Sequence, residues 1–175
     1  MLCSGMLFSC ENDTELVDNL SISKKNVPIE SASDIEIIYS DFGIARMKLT
    51  ASKLERYPGD HPYIEFPEGV HVVFFDSLKQ PESQLTSKYA ISREVENVME
   101  AKRDVIVINE KGEILNTEHL IWDQANEKIF TEEFVKITTA DEIIMGEGME
   151  ADQEFSHYKI KNITGTINIK NDEDN

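Results

Sequence analysis

Apolar and polar residues alternate along most of the chain after Ser33. In the clearest case Ala45, Met47, Leu49 and Ala51 alternate with charged or hydroxyl side chains, as in a strand with one apolar face. A helix would not sort these residues onto two faces. The same reading predicts strands at 35–39, 45–52, 63–66, 70–75, 84–91, 105–108, 114–122, 128–138, 143–151 and 158–169. Segment 70–75 is apolar on both sides, so we expect it to be covered on both faces.

Segment 92–103 fits two structures. Ser92 could cap a helix in which Val95, Val98 and Met99 lie at helical spacing, or residues 96–104 could extend a strand into 105–108. We favour the strand, because the segments on both sides are extended and short isolated helices are marginal.

About ten extended segments joined by short turns exclude a βαβ protein. They favour an antiparallel barrel, sandwich or jelly roll. The sequence therefore predicts an all-β fold over residues 34–169.

The two cysteines, Cys3 and Cys10, both lie near the start, so no disulfide can link parts of the predicted fold. Residues 7–10, Leu-Phe-Ser-Cys, have the order of a bacterial lipobox, in which the cysteine is acylated. Nine residues without Lys or Arg are short for a secretory signal, so either the signal is clipped or the match is accidental. We interpret 1–10 as a remnant lipoprotein signal with Cys10 as the modified residue, 11–33 as a polar linker and 170–175 as an acidic tail.

Charge excludes some function classes. The 175 residues include 34 Asp and Glu against 17 Lys and Arg, a net charge of −17, which would repel nucleic-acid phosphates and anionic membranes. No apolar run is long enough for a spanning helix. The four histidines are scattered and form no metal-ligand or nucleophile motif, so we expect neither an enzyme nor a metal site nor a cofactor.

Several segments, in this order, resemble one protein family. Residues 105–123 (VIVINEKGEILNTEHLIWD), 129–137 (IFTEEFVKI) and 146–152 (GEGMEAD) resemble the repeated strand unit of the lipopolysaccharide-transport proteins LptC, LptA and OstA-like domains. Residues 39–43 (YSDFG) and 49–54 (LTASKL) are similar to the start of LptC in particular. The resemblance covers about residues 34–167.

The resemblance implies an open, two-sheet OstA-like β-jelly roll whose apolar interior carries the acyl chains of lipopolysaccharide. It implies a periplasmic protein at the inner membrane that takes the lipid from the ABC transporter, through LptF and LptG, and passes it to LptA. Family members join by pairing strand edges. The N-terminal strand, near 34–40, would then face the transporter and the final strand, 158–169, would face LptA.

A groove for acyl chains needs strands with a continuous apolar face. Its candidate lining residues are the inward apolar positions, and each would equally suit an ordinary closed core: Ala45, Met47, Leu49, Val72, Phe74, Val105, Val107, Leu120, Trp122, Phe134, Ile144 and Met149. With so acidic a chain, we expect acyl chains to be gripped while anionic head groups stay in water. The rival interpretation is a lipid-anchored β-sandwich that binds or adheres at the cell surface.

Two features depart from the family pattern. The family usually begins with a transmembrane helix, in whose place this sequence has a lipobox-like segment and a polar linker. A glycine commonly precedes Asp-Val at the start of the middle strand, whereas Arg103 stands before Asp104 and Val105 here. We expect this change to affect a local bulge.

Overall fold

The computed structural model describes residues 27–152 and 155–169. Segment 1–10 with Cys10, most of the linker segment and the tail 170–175 lie outside the described residues. The strands are β1 (Glu30–Asp41), β2 (Ile44–Tyr57), β3 (Tyr63–Phe66), β4 (Val70–Phe75), β5 (Pro81–Ser87), β6 (Tyr89–Arg93), β7 (Val98–Asn109), β8 (Ile114–Asp123), β9 (Lys128–Thr138), β10 (Glu142–Asp152) and β11 (Tyr158–Asn168). The described residues contain no helix, so the all-β prediction is confirmed.

All the strand pairs are antiparallel and belong to one continuous sheet that folds over on itself, an arrangement consistent with a β-jelly roll. Two long strands each pair with two different strands along one edge. One edge of β2 pairs first with β4 and then with β3, and one edge of β7 pairs first with β6 and then with β5. Strands β2 to β7 therefore close into a ring, while β8 to β11 continue from β7 as a second group that we call the wing.

A bulge lets β7 change partners. Arg103 and Asp104 both have positive φ, 65° and 55°, and the register between β7 and β8 shifts at this point. The backbone N–H of Lys88 donates to the Arg103 carbonyl at 2.9 Å, and the Lys88 ammonium pairs with the Asp104 carboxylate at 3.0 Å. The Arg103 guanidinium lies 4.8 Å from the centre of the Tyr89 ring. These contacts hold two side-chain-bearing residues in a conformation that usually favours glycine.

Two sequence expectations need correction. The predicted strand 84–91 is two strands, because the chain leaves β5 at Lys88 and pairs with the other half of β7 as β6. Segment 70–75 is not covered on both faces, since His71 is exposed between buried Val70 and Val72. The two halves of the jelly roll belong to one hydrogen-bonded sheet, because β7 pairs with strands of both halves. In the ambiguous segment, 94–97 is a turn and the strand resumes at Val98, so the strand interpretation is confirmed from that residue onward.

The inward side chains form one apolar core. Ile129, Val135 and Met149 of the wing are at most 1% exposed and belong to the same cluster as Leu49 and Val72 of the ring. The burial pattern alternates along β2, β5 and β9, as period-two sequences require.

The sheet leaves two edges open among the described residues. Strand β1 pairs only with β2, and β11 pairs only with β10. Both carry exposed apolar side chains, Ile38 and Tyr39 on the first and Ile163 and Ile167 on the second. Strand β1 begins at Glu30, within the stretch interpreted as linker.

Candidate functional site

A cavity of about 750 Å³ opens between the ring and the wing. Its lining comes from both groups: Tyr39 of β1, Arg46 and Met47 of β2, Phe74 and Phe75 of β4, Asp76 and Ser77 beyond it, Glu82 of β5, Trp122 of β8, Gln124 and Glu127 in the β8–β9 turn, and Ser156. This volume lies within the range of sites that bind small molecules or lipid chains.

The floor of the cavity is aromatic. The rings of Phe74 and Trp122 meet edge to face, with centroids 5.8 Å apart and an interplanar angle of 79°. Both side chains pack against the buried core while also lining the cavity, and Met47 lies beside them. The floor therefore extends the core to an accessible surface, as a site for apolar chains requires.

Bulges at the mouth bring adjacent residues to the same cavity. Between β4 and β5 the register shifts by one residue at Glu82, and Phe74 and Phe75 both line the cavity although neighbours in a regular strand face opposite sides. Between β1 and β2 the shift leaves Arg46 as the extra residue, and Arg46 and Met47 both line the cavity.

The rim of the cavity, formed by Arg46, Asp76, Glu82 and Glu127 with neighbouring polar residues, is predominantly acidic. One guanidinium faces three carboxylates at this mouth. Such a rim remains hydrated and would not concentrate anions.

Aspartates fix the turns around the rim. Asp76 Oδ1 accepts hydrogen bonds from the backbone N–H groups of Leu78 and Gln80, both at 2.8 Å. Asp123 accepts from the side chain and backbone of Asn126, and these bonds lower the Asp123 carboxyl pKa. The β4–β5 and β8–β9 turns thus keep the cavity mouth in one shape.

Ser156, His157 and Asp152 lie together beside the cavity without forming a hydrolase triad. The Ser156 hydroxyl donates to Asp152 Oδ2 at 2.7 Å, and His157 Nδ1 lies 3.0 Å from both that oxygen and the serine Oγ. A triad places the serine and the carboxylate on opposite ring nitrogens. Here both meet Nδ1, an arrangement that closes the turn before β11. Within residues 27–152 and 155–169, no group of His, Cys, Asp and Glu side chains could hold a metal ion.

A second hollow of about 420 Å³ adjoins the cavity at Glu127. It reaches Ala151 of β10 and Tyr158 and Lys159 at the start of β11. The first hollow is lined by Tyr39, on one edge strand, and the second by Tyr158, on the other.

Away from the cavity, Glu100 of β7 sits at the centre of a cationic network. Its carboxylate contacts Arg93 Nε at 3.1 Å, Lys102 Nζ at 2.7 Å and His119 Nε2 at 3.0 Å, and its side chain is 12% exposed. Burial alone would raise the Glu100 pKa, but the hydrogen bonds from Lys102, Arg93 and His119 outweigh it and lower the pKa to about 2. The network ties β6, β7 and β8 together on the outer surface.

The structure brings three of the predicted lining residues, Met47, Phe74 and Trp122, to the cavity. Others lie deeper in the closed core: Leu49, Val72, Val105, Val107, Leu120 and Met149. Ala45 and Ile144 are half-buried. Phe134 is 51% exposed next to Val135, which is fully buried, so the two side chains face opposite sides of β9. The structure therefore does not bring Phe134 to the cavity.

Sequence reasoning missed Phe75, Tyr39 and the polar rim. Tyr39 belonged to a predicted strand and Phe75 to an apolar run, but their approach to the cavity depends on bulges. A one-residue shift does not interrupt the alternation within either strand, so period-two reading could not find it, although Pro81 beside Glu82 is a residue that sheets place at bulges and strand ends.

A comparison with protein-family models gives a match over residues 1–168 to the family described as "Lipopolysaccharide-assembly, LptC-related". The chain belongs to the LptC family. This confirms the resemblance drawn from residues 105–123 and the segments around it, and it makes the protein a component of periplasmic lipopolysaccharide transport. No curated protein matches the sequence.

For this LptC-family chain, the described residues include no helix that could cross a membrane.

Proposed function

We propose that this LptC-family protein receives lipopolysaccharide from the inner-membrane ABC transporter and passes it to LptA along its apolar interior. One observation carries the proposal: an aromatic-floored cavity, continuous with the core, opens between the ring and the wing. A sealed adhesion sandwich would have no reason to keep Phe74 and Trp122 at an accessible surface.

The binding energy would come from the acyl chains. Each CH₂ removed from water contributes about 0.8 kcal/mol, so a few chains resting on the floor supply useful affinity without any charge pairing. The acidic rim would leave the anionic head groups in water, and the loaded lipid could then move on without breaking strong ion pairs.

The partners are assigned to the two open edges by analogy with family members, which join through their strand edges. Strand β1, with exposed Ile38 and Tyr39, would pair with LptF and LptG, and β11, with exposed Ile163 and Ile167, would pair with LptA. Pairing through backbone hydrogen bonds extends the sheet with little dependence on side-chain identity. The cavity reaches β1 at Tyr39 and the adjoining hollow reaches β11 at Tyr158, so both ends of the route lie beside an open edge.

Anchoring would come from acylation of Cys10, which would hold the domain at the inner membrane by a lipid rather than by a helix. In cells that produce the full signal, Cys10→Ser should release the domain from the membrane fraction. Unchanged fractionation would remove Cys10 from the proposal and leave the transport role standing.

The transport role is tested by photo-crosslinking in living cells at two phenylalanines. Benzoylphenylalanine at position 74 should crosslink to lipopolysaccharide, whereas the same group at position 134, on the outer face of β9, should not. Equal labelling at both positions, or none at 74 in folded protein, would contradict an interior route.

The edges are tested in the same cells with the crosslinker at Ile38 and at Ile163. The β1 position should capture the transporter subunits and the β11 position should capture LptA. Exchange of the two partners, or capture only of second copies of the chain, would overturn the assignment of the edges.

A further inference from the structure

Two polar groups lie buried beside the cavity floor without a hydrogen-bond partner among the described residues. They are the indole Nε1–H of Trp122 and the hydroxyl of Ser83. Ser83 is 4% exposed, and its neighbours along β5 on the inward face, Leu85 and Ser87, are also buried. Ser87 does find an acceptor, the Tyr89 carbonyl at 3.0 Å, so an inward serine in this strand is not unpaired by necessity.

Phe74 connects the two unpaired groups. Its ring meets that of Trp122 edge to face, and its Cα is the cross-strand partner of Ser83 between β4 and β5. Partners in an antiparallel pair project their side chains to the same side of the sheet, so Ser83 lies on the side of Phe74 that faces the cavity. Phe74 is itself only partly buried and lines the cavity, so a rotation of its side chain would uncover the floor behind it.

The chemistry of the two groups specifies what they lack. An indole N–H is a donor only, and burying it without an acceptor is unfavourable. A serine hydroxyl can also donate. A carbonyl oxygen has two lone pairs and can accept two hydrogen bonds. Both groups therefore call for an acceptor oxygen, and the aromatic floor beside them favours one carried on an apolar chain.

We propose that Trp122 Nε1–H and Ser83 Oγ–H form a subsite that binds the carbonyl oxygen of an ester- or amide-linked fatty acyl chain when the Phe74 side chain turns aside. The inference rests on the proposed lipid-carrying function and adds to it a preference for one class of lipid. The floor binds the hydrocarbon, while the two donors select chains joined to their head group through a carbonyl and place that junction just inside the acidic rim.

The test compares two soluble single-chain lipids of equal length, a 1-acyl and a 1-alkyl glycerophosphocholine, which differ in the carbonyl oxygen. Binding to the folded protein is measured by titration calorimetry. The wild-type protein should bind the ester about 10-fold more tightly than the ether, the effect of one to two net hydrogen bonds.

Two single changes remove one donor each. Ser83→Ala removes the hydroxyl with little change of volume. Because Trp122 is the only tryptophan, replacing tryptophan throughout the chain with benzothienylalanine removes its N–H and retains the two-ring shape. Each should reduce the preference for ester over ether to about threefold or less, by weakening the ester while leaving the ether unchanged. Circular dichroism checks that both variants fold. If the benzothienylalanine protein does not fold, the Ser83→Ala variant alone tests the subsite.

Equal binding of ester and ether by the wild-type protein, or an unchanged preference in folded Ser83→Ala, would overturn the subsite and leave the lipid-carrying role intact. Failure of both lipids to bind, together with no crosslink at position 74 in cells, would overturn both proposals.

Discussion

Gly146 of β10 determines how closely the last strand, β11, can approach β10. A Cβ atom at this position would lie 2.5 Å from the Asn162 carbonyl oxygen and 2.5 Å from Ile160 Cγ2. Its φ is not positive, so the need for glycine comes from the close approach of β11 rather than from the turn of the backbone. A methyl group here therefore has to push the edge strand outward.

The size of the effect follows from which atoms would clash. One of them is backbone, held in the β10–β11 ladder where Gly146 pairs with Ile163 at a register shift. It cannot yield as a flexible side chain would. Adding a methylene to a packed site of this kind costs about 1–3 kcal/mol, so Gly146→Ala should lower the free energy of unfolding by that amount.

Gly165 provides a matched control in the same hairpin. A Cβ there would meet only the terminal Met145 Cε, at 3.2 Å, and that flexible side chain can move away. Gly165→Ala should change stability by less than about 0.5 kcal/mol, or raise it slightly by restricting the unfolded chain.

Urea unfolding of the two variants measures the difference. With an m-value of about 2 kcal/mol/M, Gly146→Ala should unfold at a urea concentration roughly 0.5–1.5 M lower than Gly165→Ala. In cells the same variant should weaken capture of LptA from Ile163, because the displaced edge no longer presents its backbone groups in line. Equal midpoints for the two variants would refute the idea that β11 is held against Gly146.

Three further predictions concern the network, the two faces of β9 and the rim. Because the Glu100 pKa is about 2 in the folded protein against 4.5 ordinarily, its network stabilises above about pH 4.5 and is lost as the pH falls towards 2. Glu100→Gln should lower the free energy of unfolding by on the order of 2–3 kcal/mol at pH 7. Over that pH interval the stability of the variant should depend less on pH than that of the wild-type protein, and parallel profiles of stability against pH would contradict this. In thermal unfolding, Ile129→Ala should lower the free energy of unfolding by about 2–5 kcal/mol and Phe134→Ala by less than about 1 kcal/mol. A reversed order would mean that the two faces of β9 are misassigned. Asp76→Ala should lower the free energy of unfolding by about 1–2 kcal/mol, because two backbone N–H groups lose their acceptor. The same variant should bind lipid more weakly. Unaltered binding would show that the rim does not need a fixed turn.

Period-two alternation predicted the strands well, because one face of each strand is buried. Tyr63–Phe66 and Val70–Phe75 have the predicted bounds, and Met47 and Leu49 are buried as their spacing required. Alternation states only that neighbours face opposite sides. It could not say which inward residue ends in the closed core, as Val107 does, and which reaches the cavity, as Trp122 does.

What the pattern missed lies at irregular points. The break at Lys88 has no Gly or Pro, and it arises because β7 bends at Arg103 and Asp104 and offers its two halves to different partners. Such breaks depend on pairing between distant segments, which local sequence does not encode. Phe134 is a different case, because the buried positions of β9 are Ile129, Thr131, Val135 and Ile137, and strict alternation with them would have placed Phe134 on the outer face.

The divided pairing of β2 and β7 also sets an order of local opening. A ring strand such as β4 is hydrogen-bonded on both sides and cannot separate without breaking two ladders, whereas β1 and β11 each give up one. Native-state hydrogen exchange should therefore be fastest at the two ends of the sheet and slowest in the ring. Opening of a terminal strand therefore leaves β2 and β4, which supply Met47 and Phe74 to the cavity, in the folded sheet.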